Sequence, residues 1–174
     1  MKRMRNKHYY LVASLPYLIF EDEPPVSSAS FLEECRKWLS DEEMRTVKSA
    51  DISGGGESAG GGTVLSEWLS FDRRLRKSLA LFRKARKSGE QFRAENALKS
   101  ITEQENPLLM EKEFERLRWR FLEEKAAGFF YDINSLVIYY LQLQILQRLA
   151  SFDRDKGERY FYELCEVDYE QAIG

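Results

Sequence analysis

Apolar residues along this chain recur mostly at helical spacing, and the clearest stretch, from Asn106 to Tyr162, reads as three consecutive helices. Pro107 sits at a helix start, Leu109, Phe114, Leu117 and Phe121 follow one apolar face, and Gly128 stops the helix. Asp132 can cap the next, and Ile133 to Leu149 is apolar on almost every side, which places it at the centre of the fold. The last helix, roughly Asp155 to Glu170, buries Tyr160, Phe161, Leu164 and Cys165. Upstream, Leu65, Trp68, Phe71, Leu75, Leu79 and Phe82 carry a helix from Thr63 to Ser88, with Gly89 as its stop. Phe92, Ala94, Ala97, Leu98 and Ile101 continue as a further helix ending near Glu105.

The first fifty or so residues are less regular. Tyr9 to Leu15 fits a short strand by residue type and a short helix by its surroundings; Pro16 ends it either way, because proline disfavours helical geometry in the residue before it. Pro24-Pro25 forces an extended link. Ser30 and Glu33 form a capping-box pattern ahead of an apolar face of Phe31, Leu32, Cys35, Trp38 and Leu39. Ser40 and Glu43 repeat that device, so a second short helix follows at an angle. No hairpin dipeptide separates alternating runs, which leaves a sheet without support. The expected fold is all-α: an antiparallel helical bundle, since the joining loops are short.

Ser53 to Gly62 is the clearest boundary, with six glycines and no large side chain to bury. It divides an N-terminal helical segment, 1–52, from a bundle over 63–174, the N-terminal segment packing on the bundle as a small lobe. A phosphate-binding loop needs Lys then Ser or Thr after its last glycine; here Thr63 and Val64 follow, so the tract reads as a tether.

Composition narrows the class. With 43% hydrophobic residues in 174, there is material for a core, and a formal charge of −2 supplies no global drive toward nucleic acid or membrane. Cys35 and Cys165 are the only cysteines; two thiols could pair, but without a disulfide-dense pattern a reduced, intracellular protein is the better reading. The basic start and the apolar Tyr9–Phe20 mimic a signal peptide, but Pro16 interrupts them and Glu21, Asp22 and Glu23 follow without a cleavage site. The apolar run from Leu136 to Leu149 holds Gln142, Gln144 and Gln147 and falls short of the about 20 residues a membrane span needs.

Candidate chemistry is sparse, and neither catalytic, cofactor-binding nor metal-ligating residues are assigned. His8 is the sole histidine, in a basic stretch expected to fray, too little for a triad or a histidine-ligated metal. Glu111, Glu115, Glu123 and Glu124 stand among Arg116, Arg118, Arg120 and Lys125, which reads as a solvated, ion-paired helix face rather than a di-metal site. Tyr139, Tyr140 and the three glutamines of the central helix need polar partners or an edge. The basic run Arg73, Arg74, Arg76, Lys77, Arg83, Lys84, Arg86 and Lys87 is the candidate partner-binding surface, opposite the apolar face of its helix. It suits an acidic protein, or phosphates of nucleic acid or lipid with the salt dependence they bring; the plainer reading pairs it with Glu163, Glu166, Asp168 and Glu170.

Four stretches carry a family resemblance: Tyr9-Tyr10-Leu11-Val12-Ala13-Ser14-Leu15-Pro16 with the Phe31 helix; Trp68 to Arg86; Asn106-Pro107-Leu108 leading to Arg118-Trp119-Arg120-Phe121-Leu122; and Asp132-Ile133-Asn134-Ser135-Leu136 running to Phe152-Asp153. In that order they resemble a bacterial family, domain of unknown function 2764, whose members are associated with V/A-type ATPases. In helical character that family is similar to the C/d-type component of those motors, the helical funnel that couples the rotating central stalk to the membrane ring. The resemblance implies a non-catalytic structural, coupling or accessory subunit of a rotary proton- or sodium-motive ATPase. It also implies contacts with the central stalk and membrane ring, no cofactor, no small-molecule substrate, and a cytoplasmic place peripheral to the inner membrane. The alternative is a free-standing helical adaptor or regulator that binds nucleic acid through the 73–87 helix.

Overall fold

The computed structural model describes residues 7–54, 63–90, 92 and 98–152. Among them are seven helices and no strand: α1 (Lys7–Ser14), α2 (Ser28–Arg36), α3 (Asp41–Lys48), α4 (Thr63–Ser88), α5 (Lys99–Thr102), α6 (Pro107–Ala126) and α7 (Ile133–Ala150). The glycine tract past Gly54, residues 93–97 of the helix expected from Phe92 to near Glu105, and the final Asp155–Glu170 helix with Cys165 lie outside the described residues; Phe92 itself is not helical, and the described part of that helix is the short α5.

Local signals place most helix ends. Asn106 accepts the Leu108 amide through its side chain and Pro107 opens α6, its missing N–H costing nothing where no intrahelical partner exists. Asp132 and Ser135 form a reciprocal capping box on α7, and Ser40 with Glu43 does the same for α3. Gly89 takes φ +72° and ends α4. The α2 start differs from expectation. Its cap is Ser27, which accepts the Ser30 amide at 3.1 Å, so Ser30 lies inside the first turn and Glu33 makes no cap. Ser27 lies two residues past Pro25 and supplies a hydroxyl one turn earlier, which pre-empts Ser30. Tyr9–Leu15 resolves as helix, with α1 ending two residues before Pro16.

Helix α7 is the hub, in contact with α1, α2, α3, α4 and α6. Leu136, Val137, Ile138, Leu141, Leu143, Ile145 and Leu146 are buried on it, on more than one face. They join one core with Leu11 of α1, Phe31 and Cys35 of α2, Met44 and Val47 of α3, Val64, Leu65 and Trp68 of α4, and Trp119 and Leu122 of α6. A second cluster, Leu75, Leu79, Leu98, Ile101, Met110 and Phe114, continues the seam between α4, α5 and α6. Ion pairs give the directions: Lys125 meets Glu67 at one end of the α4–α6 pair and Arg83 meets Glu111 at the other, so these helices run antiparallel. Glu111, near the start of α6, also meets Arg148, near the end of α7, so α6 and α7 are antiparallel as well.

Three of the polar groups of α7 find partners among the described residues. Tyr139 donates its hydroxyl to the Pro16 carbonyl at 3.1 Å, Gln144 donates to the Ala50 carbonyl at 2.8 Å, and Gln147 accepts from Ser28 at 2.7 Å. These bonds tie the segment before the glycine tract to the hub. Trp38, expected on the buried face of α2, is 41% exposed, because α2 ends at Arg36 and the chain turns before the helical phase reaches it.

Candidate functional site

Helix α4 sorts its charges by phase. Leu65, Trp68, Asp72, Leu75 and Leu79 form one inward stripe, so a lone acid occupies a core position, 3% exposed. On α6 the stripe Glu111, Glu115, Arg118 and Leu122 faces it, with Glu115 0% and Arg118 1% exposed. This corrects the expectation that Glu115 and Arg118 belong to a solvated face. Grouping charges by number along the helix ignored their helical phase, and these two share the phase of Leu122. The buried apolar side of α6 shifts with them, to Met110, Phe114, Trp119 and Leu122, leaving Leu109 44% exposed.

Arg118 is the hub of a buried network. Its Nε and Nη2 donate to Asp72 Oδ1, the former at 2.8 Å. Nη1 donates to both Glu115 oxygens at 3.0 and 3.2 Å, and Nη2 also reaches the Ile52 carbonyl at 3.0 Å. Arg76 donates Nε to the other Asp72 oxygen at 2.7 Å and Nη2 to the same Ile52 carbonyl. Arg148 pairs Nε with Glu115 at 2.9 Å and Nη2 with Glu111 at 3.0 Å, while Arg83 donates Nη2 to the second Glu111 oxygen at 3.1 Å. The Arg118 guanidinium also lies 4.4 Å from the Phe114 ring centre. Burial pushes the Glu115 carboxyl above its usual range, and the charges of Arg118 and Arg148 oppose that rise.

The eight sequence-predicted partner residues therefore separate into two sets. Arg76 and Arg83 turn to carboxylates of the network. Arg73, Arg74, Lys77, Lys84, Arg86 and Lys87 are exposed, and among the described residues no carboxylate pairs with them. Beside Arg74 and Lys77 runs a cleft of about 440 Å³ floored by Phe71, Leu75, Leu81 and Leu98. The acids offered as partners, Glu163, Glu166, Asp168 and Glu170, lie outside the described residues.

Two further features were not legible from the chain alone. His8 is not in a frayed stretch: it sits in α1, half-buried, with Nε2 3.0 Å from Glu43 of α3. Tyr9, Tyr10, Trp38 and Tyr131 form an exposed aromatic patch, Tyr9 packing on Tyr131 at 4.6 Å and edge-on to Tyr10 at 5.6 Å. Among the described residues no three His, Cys, Asp or Glu side chains converge to hold a metal ion, and no helix is long and apolar enough to cross a membrane.

Residues 87–168 match the model of a family described as a protein of unknown function (DUF2764). That segment covers α5, α6 and α7 and so contributes Glu111, Glu115, Arg118 and Arg148 to the network, while Asp72, Arg76 and Arg83 stand before it. No curated protein and no solved structure matches the chain.

Proposed function

We propose that this chain is a non-catalytic structural or coupling component of a rotary V/A-type ATPase, similar in role to the C/d-type funnel. On this reading it lies on the cytoplasmic side, joined to the membrane complex through the central stalk and membrane ring. The observation that carries the proposal is the outer face of α4: six exposed cations without a described carboxylate partner, flanking an apolar cleft. Exposed like charges on one helix repel, so the face is better satisfied against an acidic surface than alone. The inner side of the same helix is clamped by Asp72 to α6, which suits a part that transmits contact without deforming. The resemblance to the ATPase-associated family supplies the identity of the complex.

The test is co-purification of the tagged chain with rotary ATPase subunits at low salt, beside the R73E/K77E/K84E variant. The wild type should retain those subunits and lose them as salt rises, the variant should not retain them, and neither should hydrolyse ATP alone. Absence of the subunits under mild, low-salt conditions overturns the proposal. Steep, salt-sensitive binding of DNA or RNA by the same face instead identifies the adaptor reading.

A further inference from the structure

The charges of the network do not cancel. Asp72, Glu111 and Glu115 supply three carboxylates against the four guanidiniums of Arg76, Arg83, Arg118 and Arg148. All four arginines line one cavity of about 330 Å³, together with Ser53 and a single carboxylate, Glu111. Each guanidinium carries five N–H donors. Arg83 commits one nitrogen to Glu111; Arg76 and Arg148 each engage Nε and Nη2. Nε and Nη1 of Arg83, and Nη1 of Arg76 and of Arg148, have no protein acceptor among the described residues. The arginines reach the cavity from three helices, and Arg83 and Arg148 are respectively 58% and 44% exposed, so it opens to solvent. A ring of forked donors with surplus positive charge calls for an anion with several acceptor oxygens.

We infer that this cavity binds a phosphoryl group, free or carried on a small molecule. A carboxylate offers two oxygens in one plane, and Glu111 already fills that role between Arg83 and Arg148. A tetrahedral phosphoryl group offers oxygens in separate directions, as the uncommitted donors of Arg76 and Arg83 from α4 and of Arg148 from α7 require; Arg118 of α6 adds charge but no free donor. Glu111 opposes the anion, and its two arginine partners offset it. The glycine tract begins at the same place: a Cβ at Gly54, whose φ is +89°, would lie 3.4 Å from the Arg76 guanidinium. The site differs from the outer face of α4 and does not rest on the ATPase proposal.

The full chain, prepared in phosphate-free buffer, is titrated calorimetrically with inorganic phosphate, pyrophosphate and magnesium-free ATP, with acetate at matched ionic strength as the control. Saturable one-to-one binding of a phosphate species, with a dissociation constant on the order of millimolar or tighter, is expected. R83M should weaken it at least about tenfold, the loss of one bidentate charged contact, whereas K84M on the exposed face should leave it unchanged. Equal affinity for pyrophosphate and ATP indicates a free anion, and tighter ATP binding a carried one. Among the described residues Arg83 pairs with Glu111 alone; if R83M nonetheless misfolds, the Nε–Hε resonances of Arg83 and Arg148 in the wild type must shift on titration. No saturable binding in any phosphate arm, or equal weakening by K84M and R83M, overturns the inference.

Discussion

Replacing Arg118 with methionine isolates what the buried network contributes. Methionine keeps much of the side-chain volume and the contact with Phe114 but removes every bond the guanidinium makes. Asp72 then keeps Arg76 at 2.7 Å and Glu115 keeps Arg148 at 2.9 Å, both from partly exposed side chains. The Ile52 carbonyl keeps only Arg76. Breaking a buried pair from one side costs about 3–5 kcal/mol, because a charge is left buried without its partner. The surviving arginines place this variant near the lower end, about 3 kcal/mol. For a chain of this length that corresponds to a fall in Tm of roughly 6–12 °C.

The assay is urea unfolding followed by circular dichroism, reading the midpoint with the slope unchanged. D72N alone should also destabilise, since Arg118 and Arg76 lose their charged acceptor. The double variant should be less harmed than the sum by about 1.5–3 kcal/mol, the two residues sharing one interaction. A loss below about 1 kcal/mol for R118M, or strict additivity of the pair, would refute the claim that Arg118 is the network's hub.

Burial holds the Cys35 thiol up to about 12, from an ordinary 9.0. A raised folded pKa means the contribution is complete below pH 9 and is lost as pH climbs through 12. That rise corresponds to about 4 kcal/mol, so wild-type stability should fall over this range, and C35A, with no thiol there to ionise, should show a shallower fall that keeps only the part due to Tyr139 and Tyr140, whose hydroxyl pKa values burial also raises. Reversing Arg73, Lys77 and Lys84 on the exposed face should change stability by about 0.5 kcal/mol or less per site in the same urea assay, in contrast to Arg118. Asp132→Ala should cost about 1 kcal/mol in thermal unfolding, through loss of the α7 cap that binds the Ser135 amide at 2.9 Å.

The helices of this fold were legible where one rule governs. Pro107, Gly89 and Asp132 each fix a terminus through backbone geometry or a single side-chain bond, which neighbouring residues in the sequence suffice to specify. Ser27 is not legible as the cap because Ser27, Ser28 and Ser30 all offer hydroxyls within one turn, and the turn after Pro24-Pro25 decides among them in space. The buried network leaves a signal in the sequence: Asp72 interrupts the apolar phase of Leu65, Trp68, Leu75 and Leu79. Glu115 and Arg118 likewise keep the phase of Leu122. An acid and a base in phase with facing apolar stripes mark a buried pair. The part played by Ile52 could not be read, because its carbonyl lies 66 residues from Arg118 and only the folded chain brings them together.

That long-range bond explains why charges occupy positions apolar residues could fill. Buried ion pairs replaced by well-packed hydrophobic residues are often neutral or stabilising, so stability alone does not account for the network. What an apolar seam lacks is direction: leucine and methionine would pack α4 against α6 but could not select the Ile52 carbonyl. Arg118 and Arg76 both donate to it, and the Ile52 amide bonds Gln144 of α7 at 3.3 Å, so the chain is pinned just before the glycine tract. A D72L/E115L/R118M variant should therefore unfold within about 1.5 kcal/mol of the wild type while its Ile52 amide exchanges with solvent measurably faster. Unchanged exchange at Ile52 in a folded triple variant would show that the core alone places this segment, and the network would have no positional role.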